Sequence, residues 1–180
     1  GKPGIKGRIA VDNTGTEATG VEGLSVALQA GDLFRSNEVW SIHARKSLSP
    51  ADKNSHSFSA DLRIPHGYNT YGIGHTKGGF NTMLQFPLTG TQLTNEGANE
   101  SSYLSAERVV HRDQNSKHTL AVKLKRDSTE SYIAGTKIDV SSRTLDALAV
   151  SSERVIGIGR NVLIISPEIS AGLSEGDNLP

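Results

Sequence analysis

The chain has 180 residues, of which 35% are hydrophobic, with 19 acidic side chains against 19 Lys plus Arg and no cysteine. Its length suffices for one domain, its zero net charge supplies no global field to draw it onto nucleic acid, and the missing cysteine excludes disulfide staples, thiolate metal sites and a cysteine nucleophile. The longest apolar run, Val162-Leu163-Ile164-Ile165, falls far short of the roughly 20 residues of a membrane helix, so any membrane span would have to be β.

Period-two alternation recurs from end to end, the signature of strands with one apolar face. Ile9 and Val11 alternate with Arg8, Ala10 and Asp12, and Leu24, Val26 and Leu28 with Ser25, Ala27 and Gln29. Trp40, Ile42 and Ala44 define a third strand, Phe58, Ala60, Leu62 and Ile64 a fourth, and Tyr71 and Ile73 a fifth. Ser102 to Arg112 reads as a sixth of mixed phase, because Glu107-Arg108 and Val109-Val110 each put like residues on both faces. Leu120, Val122 and Leu124 form the seventh. Ile138 to Val150 forms an eighth whose phase slip near Ser141-Ser142 suggests a bulge, and Asn161 to Ser166 a ninth.

Alternate connections differ in character. Thr14 to Gly20, Leu48 to Ser55, Lys77 to Glu100 and Asp127 to Thr136 read as polar, mostly long links. Gly31 to Glu38, Pro65 to Asn69, Asp113 to Lys117 and about Arg154 to Gly159 read as links shorter on average, the first excepted, and rich in Asp, Asn and Gly. Long loops at one end and short turns at the other are what an outer-membrane barrel shows. The fold expectation is therefore all-β, an antiparallel up-and-down meander forming part of a transmembrane β-barrel. A secreted β-rich binding module, such as an adhesin or lectin-like sandwich, is the alternative, because a sandwich also has one polar face. About nine strands in place of the even number of a single-chain barrel suggest a wall that stops partway. Gly1 reads as a cut end, and the tail from Ala171 to Pro180 as the start of another long loop.

Gly7-Arg8-Ile9-Ala10-Val11-Asp12-Asn13-Thr14-Gly15, followed by Gly20 and the Leu24 to Leu28 strand, resembles the first barrel hairpin of the two-partner-secretion transporters, the haemolysin-activator family. Val39-Trp40-Ser41, Arg45-Lys46-Ser47-Leu48, Phe58-Ser59-Ala60-Asp61, the run from Ser105 to Lys117, Tyr132-Ile133 and Ser142-Arg143-Thr144-Leu145 follow in family order. The resemblance implies a 16-stranded barrel in the bacterial outer membrane that exports a large exoprotein without ATP, preceded by two periplasmic POTRA domains. Residues 1–180 would then be the N-terminal portion of the barrel, without the POTRA domains and the C-terminal strands. The implied partners are the exoprotein in the lumen and outer-membrane lipid, with no nucleic acid.

On the polar strand faces, Arg8, Asp12, Arg45, Asp61, Arg63, Lys123 and Lys125 are the candidates to line the lumen. Charges of mixed sign suit a wet wall that pairs charges across strands and lets an unfolded chain slide past; a solvated sheet face is the simpler alternative. Trp40 and Tyr68 lie near short links, where aromatics form a membrane-interface girdle, although core packing would also explain them. His43, His56, His66, His75, His111 and His118 lack metal-ligand spacing, so no metal is expected. No Gly-x-Ser-x-Gly elbow focuses the many serines, and Gly72, Gly74 and Gly157, Gly159 open no helix. The expectation is no enzyme and no cofactor.

Overall fold

A computed structural model describes residues 4–49, 53–85 and 90–173. They form one antiparallel sheet of eleven strands. In chain order these are β1 (Gly4–Asp12), β2 (Gly23–Gly31), β3 (Val39–Ser47), β4 (Asn54–His66), β5 (Asn69–Gln85), β6 (Gln92–Arg112), β7 (Ser116–Ile133), β8 (Thr136–Lys137), β9 (Arg143–Ile158), β10 (Asn161–Ile165) and β11 (Glu168–Gly172). Strands β1 to β7 pair serially, β7 pairs with β9, β10 and β11 share the far edge of β9, and β8 folds back on β7. The expected meander is present.

Several boundaries differ from the sequence reading. Lys77 to Glu100 is mostly strand: β5 continues to Gln85 and β6 starts at Gln92, paired from Asn69↔Arg108 to Gln85↔Gln92. Asp127 to Ile133 likewise belongs to β7 and Arg154 to Ile158 to β9. In the outer parts of β5, β6 and β7 polar residues occupy the face that carries apolar ones elsewhere, so ladder hydrogen bonds extend where the pattern disappears. The slip at Ser141-Ser142 is a 3₁₀ turn over Asp139–Ser141, and the strand begins at Arg143. The bulge lies instead in β6, where register shifts between Val109 and His111. Ala171 and Gly172 belong to β11, opposite Leu148 and Ala147; residues 174–180 of the expected loop lie outside the described residues.

The short links are fixed by local chemistry. Gly67, at φ +60°, opens the two-residue Gly67-Tyr68 turn between the paired His66 and Asn69, a place that suits glycine because its φ is positive. Asp113 Oδ1 accepts the backbone N–H groups of Asn115 and Ser116 at 2.8 and 2.6 Å, closing the β6–β7 turn. Glu38 is only 3% exposed and accepts N–H bonds from Phe34 and Ser36 at 2.6 and 3.1 Å, which pins the β2–β3 link. Burial raises its pKa, but these backbone donors outweigh burial and hold the carboxyl below its ordinary range.

Pairing partners in an antiparallel ladder project to the same side, so register assigns every strand residue to a face. One row crosses nine strands as Ile5, Ala30, Trp40, Leu62, Ile73, Leu104, Leu124, Leu148 and Ala171. The adjacent row, on the other face, runs Lys6, Gln29, Ser41, Asp61, Gly74, Tyr103, Lys125, Ala147 and Gly172. The sheet is a single layer: among the described residues no hydrophobic side chain is buried, and Leu104 remains 54% exposed. Such a layer must have its apolar face covered by something else.

The His111 imidazole, followed by the turn N–H groups and the Ser116 hydroxyl, holds the Asp113 carboxyl well below its ordinary range. A carboxyl lowered in the folded state contributes stability that is present above its unfolded value and lost as pH falls. Asp113→Asn is expected to weaken the folded protein at neutral pH and to flatten the loss of stability below about pH 4; urea titrations across that range measure both.

Candidate functional site

Register brings Arg8, Asp12, Arg45, Asp61, Arg63, Lys123 and Lys125 to one face. Several interact across an intervening strand. Arg45 on β3 reaches over β2 to Asp12 on β1, donating from both terminal nitrogens at 2.7 and 2.9 Å. Arg63 on β4 reaches over β5 to Glu107 on β6, at 2.9 Å to each carboxylate oxygen. The Tyr103 hydroxyl donates to Asp61 at 2.8 Å across the same strand.

Two of these bridges pass a glycine on this face. A Cβ on Gly23 would meet the Arg45 guanidinium, and one on Gly74 would collide with the Tyr103 ring and the Asp61 carboxylate. Missing side chains on β2 and β5 thus let groups on next-nearest strands lie flat and touch. Lys123 Nζ sits 4.5 Å from the Tyr103 ring centroid, a cation over an aromatic face, and Lys125 pairs with Asp127 at 2.7 Å. Arg8 lines a shallow groove of about 350 Å³ with Lys6, Gln29, Ser41, His43 and Asp61. Tyr103, Glu107 and Asp127 were not among the candidates that the sequence offered for this face; glycines at alternate positions of β5 were the available signal.

Ser, Thr, Gly and Ala are frequent on the remainder of this face, beside Gln29, His43 and Asn99, and several of its opposite charges are matched locally. These pairs remain partly exposed, Arg45 at 27% and Asp12 at 30%, so each adds little stability. Trp40 lies on the opposite, apolar face, between Ala30 and Leu62, with its ring 6.4 Å from that of Phe34. Tyr68 stands at the β4–β5 turn, 70% exposed.

On the apolar face, β7 carries Leu120, Val122 and Leu124 between His118 and Arg126, an apolar stretch whose flanks are roughly 27 Å apart at about 3.4 Å per residue. That run of nine residues from His118 to Arg126 fits the roughly 9–11 residues of a tilted membrane-spanning strand. The band crosses the rows obliquely: Leu28, Ile42 and Ala60 give way along their row to His75, Ser102, Arg126 and Asp146. Tilted strands in a barrel wall require that course. Beyond the band the polarity reverses. In the projecting parts of β5, β6 and β7, Lys77, Glu96, Glu100 and Glu130 continue the formerly apolar face, while Phe80, Leu84, Leu93 and Ile133 occupy the other.

A one-layer antiparallel meander with a bounded apolar belt on one side and a paired-charge wall on the other is part of a transmembrane β-barrel. Residues 2–178 match the model of the haemolysin secretion/activation proteins ShlB, FhaC and HecB, and the chain belongs to that family. Over 171 residues it is 25% identical to the outer membrane transporter CdiB of Dickeya dadantii strain 3937, covering 93% of this chain and 30% of the relative. Over 136 residues it is 31% identical to the outer membrane transporter CdiB-2 of Burkholderia pseudomallei strain 1026b, covering 73% of this chain and 23% of the relative. The solved structure of CdiB from Escherichia coli superposes with a TM-score of 0.89 at 19% identity, covering 95% of this chain and 32% of that one. CdiB from Acinetobacter baumannii gives 0.73 at 18%, covering 96% and 32%. The chain therefore spans about a third of the length of these proteins or less.

Gly74→Val is expected to cost about 1–3 kcal/mol through overpacking against Tyr103 and Asp61. Tyr103→Ala in the same chain should recover most of that loss; urea titration of the single and double variants measures the coupling.

Proposed function

We propose that this chain forms the N-terminal part of the wall of an outer-membrane pore that exports a large exoprotein, a haemolysin, adhesin or contact-dependent toxin, without ATP. The nine-strand apolar row beside a polar row on the opposite face carries this reading. The family's role in haemolysin secretion and activation, and the naming of the relatives as outer membrane transporters, support it. In this reading the band with Leu104, Leu124 and Leu148 faces lipid, and Arg8, Asp12, Arg45, Asp61, Arg63, Lys123 and Lys125 line the lumen. Trp40 and Tyr68 stand on the lipid side toward the short turns, where amphipathic rings favour the headgroup level. Further strands complete the cylinder, which removes the unpaired edges of β1 and of β10 with β11.

The wall needs no catalytic group. An extended polypeptide passing it meets hydroxyls, glycines and already paired charges, so each contact replaces water at little gain and is readily released. The projecting ends of β5, β6 and β7 stand outside the bilayer on the long-loop side, as their reversed polarity requires. A secreted sandwich is disfavoured, because a sandwich packs two sheets over a buried core, and the described residues form one sheet without one.

Two measurements on the full-length protein test this. Single cysteines replacing Ser105, Lys123 and Ala121 should react with a water-soluble maleimide in proteoliposomes, whereas those replacing Leu104, Val122 and Leu124 should be protected; equal labelling of both sets would refute the face assignment. Val122→Lys should destabilise the protein in lipid by roughly 2–4 kcal/mol if it sits near the midplane, measured by folding from urea into vesicles, while Ala121→Lys should cost less.

A further inference from the structure

We propose that the short-turn rim of the apolar face is a binding site for the phosphate of an anionic phospholipid, with Arg108 and Arg154 as its cationic contacts. The proposal rests on the transmembrane reading above. At this rim the apolar face ends in His66 on β4, Arg108 on β6 and His118 on β7, and on β9 Arg154 pairs with His118 on the same side, followed by Ile156 opposite Ser116; this is the side that carries Leu120 and Val122. The β6 bulge adds to it. An unbroken strand would place His111 opposite in phase to Arg108, but the shift at Val110 pairs His111 with His118 and so turns it to the same face. Val110 itself is 46% exposed.

The two ends of the face differ in charge. At the long-loop rim Arg126 lies 3.7 Å from Asp146, and His75 lies 4.0 Å from Glu100. At the short-turn rim, among the described residues, neither Arg108 nor Arg154 makes an ion pair. Asp113 is taken up by His111 and its own turn, and Glu107 and Glu153 project to the opposite face. Tyr68, Arg108, Val109, Val110, His111 and Arg112 border an open notch between the β4–β5 turn and the longer β6. Two guanidiniums beside imidazoles, with valine toward the bilayer and a tyrosine at headgroup height, combine an anion site with an acyl-chain surface. A lipid headgroup is the occupant because the site lies where the apolar belt meets water.

The test uses full-length protein in nanodiscs containing equal phosphatidylcholine and phosphatidylglycerol, with co-released lipid identified by native mass spectrometry. Wild type should retain phosphatidylglycerol in preference to phosphatidylcholine by about fivefold or more, since each cation near an anionic surface contributes about that factor. Arg108→Gln with Arg154→Gln should bring the ratio near one, and Arg108→Lys with Arg154→Lys should keep most of it. Arg126→Gln, on the same face at the other rim, should leave it unchanged. No preference in wild type, or one that survives the double glutamine variant, overturns the site while leaving the transmembrane reading intact. Failure of wild type to enter nanodiscs at all overturns both.

Discussion

Parity in a single antiparallel layer governs this molecule. With one sheet and no second layer, each side chain has two possible environments, and the ladder decides which. A slip of one residue in any pair would carry its leucines to the polar side and its charges to the apolar side. The nine-strand apolar row is therefore a statement about every pairing at once, and the one bulge in β6 lies beyond the apolar belt, where a change of phase moves only His111 and Arg112.

Parity also explains why the polar face is built as it is. Neighbouring strands leave little room for a long side chain to lie flat, so an intervening residue without a side chain makes room for a link between next-nearest strands. Gly23 provides that for Arg45 and Asp12, and Gly74 for Tyr103 and Asp61. The result is a wall several of whose charges are matched locally, in keeping with zero net charge of the whole chain. At the short-turn rim of the apolar face this matching stops, and the unmatched arginines there distinguish one side of the belt from the other.

Membership of the ShlB, FhaC and HecB family agrees with this physical picture. Likeness in fold to CdiB at identities of 18% and 19% shows how little of the sequence a barrel wall prescribes: apolar against polar at alternate positions, small residues where bridges cross, and turn formers at one end. Within those limits most identities are free to change.

The strands with apolar alternation, the serial antiparallel order and the common side of Arg8, Asp12, Arg45, Asp61, Arg63, Lys123 and Lys125 were legible in the sequence, because hydrophobic period two is a local property that survives without knowledge of partners. The turns at Gly67 and Asp113 were legible for the same reason. The outer parts of β5, β6 and β7 were not, since outside the apolar belt both faces meet water and alternation loses its meaning. Nor were the bridges from Arg45, Arg63 and Tyr103, which join residues from 33 to 44 positions apart. Which residues share a face is written along one strand; which of them touch depends on the register between strands, and only the folded sheet sets that.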